Sequence, residues 1–409
     1  MSSTPTRPQT SGSTPGQMRN LLLATWAFCI TFWAWNMIGP LGVRYATDLG
    51  LSAGQKSLLV AIPVLVGSLG RIPAGALTDR FGARIMFPVL TLATIPAVLL
   101  VAIAGHANSY PLLLVFGFFL GLGGTTFAVG IPFVNAWFPP ERRGFATGVF
   151  GAGMGGTALS AYFTSRFVNW FGYVPTHLII CVALAATAFV TWTFMRNAPT
   201  WQPQHTPFVP KVMSAARLGI TWEMAFLYAA CFGGFVAFST YLPTYLHDVY
   251  GFALPQAGTR TAGFAVAAVI ARPIGGMVAD RIGPRKVLFI SFLGALLMAV
   301  ILATRPALEW RAGLSFVLMA FFMGLGSGAV FTWVAQLAPP DKVGSVTGIV
   351  GAAGGLGGFF PPLVMGATYD AAHHSYTHGL VLLAVVTALA LILTEFLITP
   401  KRGSEPARA

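Results

Sequence analysis

The stretch GRIPAGALTDRFGAR, residues 70–84, returns as ARPIGGMVADRIGPR, residues 271–285, at an offset of 201. At that offset Arg71 falls on Arg272, Gly75 on Gly276, Asp79 on Asp280, Arg80 on Arg281 and Arg84 on Arg285. A second pair, FPPERRGFATGVFGAG (138–153) and APPDKVGSVTGIVGAA (338–353), aligns at an offset of 200. Two segments repeated at nearly the same spacing mark a chain built from two parallel halves. In membrane carriers such halves meet around a substrate site at mid-depth.

The composition puts that reading in a bilayer. Of the 409 residues 56% are hydrophobic and only 9% charged, with a mean hydropathy of +0.74. Soluble domains carry about 25% charged residues. Hydrophobic runs long enough to cross a bilayer as helices are expected near 20–41, 55–78, 85–104, 110–137, 145–167, 173–195, 220–246, 257–279, 286–304, 312–336, 345–368 and 378–398. The expected fold is therefore an all-α membrane protein with twelve transmembrane helices in two six-helix bundles related by pseudo-two-fold symmetry. Its divisions are a disordered tail (1–19), an N-terminal bundle (20–195), a polar linker (196–219), a C-terminal bundle (220–398) and a second tail (399–409).

The net charge of +13 comes from short connections on one side of these spans, among them Arg80, Arg84, Arg142, Arg143, Arg281, Arg285 and Lys286. By the positive-inside rule that side, with the linker and both termini, is cytoplasmic. No basic stripe interleaved with aromatics suggests nucleic acid. Cys29, Cys181 and Cys231 sit inside apolar runs and read as free thiols. Asp370, His373, His374 and His378 fall in an outer loop, so neither a metal nor another cofactor is expected. No nucleophile–base constellation suggests an enzyme.

Asp79 and Asp280 each sit at a helix end before a glycine turn and arginines. Such clusters can make charge-assisted bonds between helices that break when the halves rock. Gly75, Asp79, Arg80 and Arg84, with Gly276, Asp280, Arg281 and Arg285, resemble the loop signature of the major facilitator superfamily. Arg71 and Arg272 each precede the motif aspartate by eight residues, about 12 Å along a helix, which places them near mid-depth. No carboxylate is expected there, so both guanidinium groups look unpaired by protein and able to take an anion as partner. Their planar forks suit an oxyanion. The glycine-rich runs 148–156 and 348–358 read as close-packing helix faces. Asn36 and Asn135 are polar groups within apolar spans that either line a cavity or bond between helices.

GSLGRIPAG (67–75), FAVGIPFVNAWFPPERRGFATG (127–148), LYAACFGGFVAFSTYLP (227–243), ARPIGG (271–276) and GAAGGLGGFFPPLVMG (351–366) together resemble the nitrate/nitrite porter family of the major facilitator superfamily. The resemblance implies a carrier of nitrate or nitrite, working as a monomer in the lipid of the cytoplasmic membrane without a cofactor. It makes Arg71 and Arg272 the clamp on the anion, Phe127 and Phe331 the rings that sandwich it, and Tyr228 a hydrogen-bond donor to it. Gly151, Gly153, Gly155, Gly351, Gly354 and Gly355 correspond to the family's glycine signatures. Met154 stands where many members carry Asn, which leaves the preference between nitrate and nitrite open. The missing mid-depth carboxylate points to nitrate/nitrite exchange; proton-coupled nitrate uptake, or carriage of another small anion or organic carboxylate, are the alternatives.

Overall fold

The computed structural model describes residues 15–139, 142–203, 208–304, 306, 308–339 and 342–396. Most of both expected tails, with Lys401 and Arg402, lies outside the described residues. Twelve membrane-length helical segments follow in order: α1 (Gln17–Leu49), α2 (Ala53–Phe81), α3 (Ala83–His106), α4 (Tyr110–Trp137), α5 (143–171), α6 (Tyr173–Phe194), α7 (Gly219–Tyr250), α8 (Leu254–Ile282), α9 (Pro284–Ala303), α10 (Trp310–Val334), α11 (Ser345–Ala367) and α12 (Thr377–Phe396). Among the described residues eleven are long and apolar enough to cross a bilayer. The other, α5, is helical over Arg143–Gly151 and Gly156–Phe171, but glycine, serine and threonine dilute its apolar character.

Local chemistry explains several boundaries. Ser52 starts α2 with a reciprocal capping box to Gln55, which satisfies donors at the helix start. Gly82 and Gly283, the glycines of the repeated motif, turn the chain from α2 to α3 and from α8 to α9 at φ values of +81° and +94°. Only glycine takes that backbone conformation without strain. The linker is not merely polar: Phe208–Ala216 forms a helix of its own.

The repeat is visible in the packing. Within the halves, α1 lies against α5 and α7 against α11; between the halves, α2 meets α11, α8 meets α5 and α1 meets α7. The glycine runs permit these contacts. A Cβ on Gly156 would meet the Cys29 carbonyl of α1, and one on Gly357 would sit 2.6 Å from the Ala229 carbonyl of α7. Across the interface, a Cβ on Gly258 of α8 would strike the Ala161 carbonyl, and one on Gly366 would lie 2.8 Å from the Ala53 carbonyl. These are backbone atoms that cannot swing away, so helix-to-helix distance is set by the missing side chains.

Three of the segments contain internal turns of another helix type: tight 3₁₀ turns at Gly121–Thr125 in α4 and Ala152–Gly155 in α5, and a π turn at Ala229–Gly233 in α7. Irregular backbone at membrane depth is tolerated where protein or a cavity surrounds it, and such turns gather at functional sites. All three adjoin residues of the central site described below.

Gly156→Leu should therefore destabilise the protein by about 1–3 kcal/mol or more, as overpacked cores do. Gly263→Ala, where a Cβ would meet nothing, should leave stability unchanged or raise it slightly. Thermal unfolding of the two variants in detergent checks both outcomes.

Candidate functional site

Arg71 projects from α2 and Arg272 from α8, and each is only 2% exposed. Both reach across the interface to the glycine run of the opposite half. Arg71 donates through Nη1 to the Gly351 carbonyl of α11 at 2.6 Å, and through Nε to the Gly124 carbonyl of α4 at 3.4 Å. Arg272 donates through Nη1 to the Met154 Sδ of α5 at 3.3 Å and through Nη2 to the Tyr228 hydroxyl of α7 at 2.9 Å. Gly151 lies directly beside this second arginine: a Cβ there would stand 3.0 Å from Arg272 Nε.

The expectation that both guanidinium groups stand unpaired by protein is thus corrected. A buried fork of five donors takes whatever acceptors lie near, and a bare glycine backbone offers its carbonyl. The partners shown are two carbonyls, a thioether and a hydroxyl, all uncharged, so the two positive charges are not neutralised by them. Arg71 Nη2 is buried and has no hydrogen-bond partner.

Aromatic rings bind the two arginines into one site. The Arg71 guanidinium carbon lies 4.8 Å from the Phe127 ring centre and 5.5 Å from that of Phe232. For Arg272 the corresponding distances are 5.4 Å and 5.3 Å. Phe232 stacks on Phe127 at 5.9 Å and on Tyr228 at 4.9 Å. Cation–π attraction offsets part of the cost of burying the charges.

Phe331 lies 6.4 Å from Phe127 and meets Tyr228 edge-on at 4.7 Å. Phe232 is the member that sequence reading missed. Its signal was its position one helical turn beyond Tyr228 on the same face, hidden among 33 phenylalanines.

A cavity of about 450 Å³ leads to this site from the linker side, with Arg71, Phe127 and Gly351 on its wall. Asp79, Asn135, Arg143 and Val212 of the linker helix also line it. Arg272, Tyr228 and Phe331 are not on its wall. Gly355 packs on Ser68 and Arg71, Gly354 on Tyr228 and Gly153 on Phe28, while a Cβ on Gly155 would only touch Val269, at 3.9 Å.

Asn135 lines the cavity and accepts from the Thr147 hydroxyl at 3.1 Å; Asn36 lies elsewhere, buried where α1 breaks.

The motif residues sit at the linker-side ends. Arg285 pairs with Glu395 of α12 at 2.9 Å, Arg80 rests over Phe81, and the Arg84 backbone N–H donates to Asn197 at 3.0 Å. Gly75 shares the cavity wall with Asp79. Asp280 is exposed, and a Cβ on Gly276 would approach Gly328 no closer than 3.8 Å. Arg281 lies in the last turn of α8.

In the loop between α11 and α12 Asp370 accepts from His373 at 2.7 Å, which holds its carboxyl below the usual carboxylate range. No metal-binding cluster occurs among the described residues.

Comparison with known proteins decides the family. Residues 24–362 and 251–409 match the sequence profile of the Major Facilitator Superfamily. The chain is 57% identical over 379 residues to the "Probable nitrate/nitrite transporter NarK2" of Mycobacterium tuberculosis, covering 93% of this chain and 96% of that one. It belongs to the nitrate/nitrite porter family of that superfamily. A "Probable nitrate/nitrite antiporter NarK1" of Thermus thermophilus is 35% identical over 384 residues, 85% of each chain. The fold is shared with the human organic anion transporter MFSD10, at a TM-score of 0.74 and 14% identity over 93% of this chain and 100% of that one. This porter is therefore a multi-pass membrane transporter and not an enzyme.

Tyr228→Phe would leave a buried Arg272 N–H without its acceptor. It should cost about 1–3 kcal/mol of stability; thermal unfolding beside Tyr162→Phe, whose parent side chain is exposed, checks this.

Proposed function

We propose that this porter moves nitrate and nitrite across the cytoplasmic membrane by alternating access, with the anion held between Arg71 and Arg272. The observation that carries the reading is two buried guanidinium groups set around one pair of rings, Phe127 and Phe232, with only uncharged protein partners shown for them. A cation held at mid-depth without an acidic partner is costly and is retained for function. A small planar oxyanion answers both forks, accepting from the unpartnered Arg71 Nη2 and from Arg272. Tyr228 accepts from Arg272 and keeps its own O–H proton, which it can donate to the anion. Phe127 and Phe331 close over the faces of the bound ion. The names of the relatives, one a nitrate/nitrite transporter and one an antiporter, support the same cargo.

The units that rock are residues 20–195 and 220–398, joined by the linker 196–219, and the working unit is a monomer. With the arginine-rich connections in the cytoplasm, the cavity faces inward in this conformation and both termini are cytoplasmic. Each arginine's bond to the opposite half breaks or re-forms as the halves rock, and an anion between the two positive charges draws the halves together. Empty arginines repel, which disfavours closure without cargo and favours exchange of nitrate for nitrite. Asp79 on the cavity wall is a proton acceptor near the path and supports proton-coupled uptake as the second reading.

Purified wild-type protein should bind nitrate and nitrite, and Arg71→Ala and Arg272→Ala should each abolish binding while keeping the fold. Arg71→Lys keeps the charge but not the fork, and should weaken binding about tenfold or more. Wild-type protein that is folded but indifferent to both ions would remove this cargo. Uptake into vesicles that hold no internal anion separates exchange from proton coupling: an exchanger stalls there, whereas a symporter accumulates nitrate when a pH gradient is imposed.

A further inference from the structure

On the side away from the linker the two halves are closed along a seam between α1 and α7. Asn36, Gly39 and Gly42 recur at three-residue spacing on α1, with Gly39 against Thr240 and Gly42 beside Thr244 of α7. A Cβ on Gly39 would lie 2.8 Å from the Thr240 carbonyl and 3.4 Å from Asn36 Oδ1; one on Gly42 would lie 3.4 Å from Thr244 Oγ1. Asn36 is 2% exposed and Thr244 fully buried. Yet both amide atoms of Asn36 and the hydroxyl of Thr244 have no hydrogen-bond partner. Three unsatisfied polar atoms beside one glycine-lined seam are an expensive arrangement, and uncommon enough in folded proteins to need a cause.

The seam stands in line with the central site. Asn36 follows Phe28 by eight residues and Thr240 follows Phe232 by eight, about 12 Å along each helix. Phe28 and Phe232 both pack on Phe127, at 5.7 Å and 5.9 Å. Beyond the seam the halves are tied by a buried ion pair. Lys56 of α2 donates to Asp248 of α7 at 2.7 Å, their side chains 9% and 10% exposed. Tyr376 donates to the same carboxylate oxygen at 2.5 Å, and Tyr241 of α7 bonds Ser57 of α2 at 2.9 Å. Any conformation open on this side must part these contacts and wet the seam.

We propose that Asn36 and Thr244 form a second contact station for the anion, reached when the α1–α7 seam opens and sealed in the present conformation by the Lys56–Asp248 pair. The Asn36 Nδ2 and the Thr244 hydroxyl are uncharged donors. They receive a small oxyanion weakly as it passes between the far side and the arginines, and their orphaned state in the closed seam is what this role costs. The station rests on the nitrate/nitrite reading of the central site.

Thr244→Val keeps the shape and removes the hydroxyl; Asn36→Asp keeps the shape and replaces the donor with a negative charge. In membrane vesicles of defined orientation, Thr244→Val should raise the KM for nitrate added on the far side about tenfold, consistent with loss of a charge-assisted hydrogen bond. The KM from the linker side and nitrate binding to purified protein should stay within about twofold of wild type, and Thr244→Ser should restore the far-side KM. Asn36→Asp should depress far-side uptake further.

A merely structural role for Thr244 would change turnover from both sides alike. An unchanged far-side KM in both variants, or an equal loss from both sides, overturns the station while the arginine clamp stands. Loss of nitrate binding in wild type itself removes the clamp and the station together.

Discussion

Two guanidinium groups buried at the middle of a membrane protein are the constraint on which this structure turns. Such charges are tolerated where acceptors surround them or a cavity reaches them, and each arginine here finds acceptors on the half of the molecule it does not belong to. Arg71 takes the Gly351 carbonyl and Arg272 the Met154 sulfur. The substrate-site candidates are therefore also part of the bond between the halves. In the proposed mechanism binding and closure share the same atoms, so that a small ion biases a large motion.

The glycine runs follow from that requirement. A bare glycine face leaves room for a guanidinium to reach across the interface, and Gly151 and Gly351, beside Arg272 and bonded to Arg71, stand at equivalent positions of the two halves. The same runs let α1 ride on α5 and α7 on α11 at distances a side chain would forbid. Packing and chemistry thus make one demand, and the bland reading of these glycines as packing residues and the functional one are not rivals.

The repeat is nevertheless imperfect at the centre. Tyr228 aligns with Phe28 of α1 at the offset of 200, so its hydroxyl, like the π turn after it, has no counterpart there, and Met154 faces Arg272 where the other half offers a carbonyl to Arg71. Arg71 lines the cavity while Arg272 lies outside its wall, so the approximate symmetry of the sequence becomes an asymmetric site. The same asymmetry separates the two ends of the path: an open cavity on the linker side and a seam tied by Lys56 and Asp248 on the other.

The twelve helical segments, the repeat and one arginine on each of two corresponding helices were legible in the sequence, because bilayer thickness fixes helix length and a near-constant offset fixes correspondence. The residues Phe127, Phe331 and Tyr228 entered through family resemblance, since one phenylalanine among many carries no signal of its own. Phe232, the linker helix at the cavity wall and the partners of the arginines needed the fold, for each depends on which face of one helix meets which face of another. The tie between Lys56 and Asp248 spans 192 residues of chain, and no local pattern relates them. Hydropathy and periodicity report on one helix at a time; only packing decides which polar groups find partners and which are left, like Asn36 and Thr244, without one.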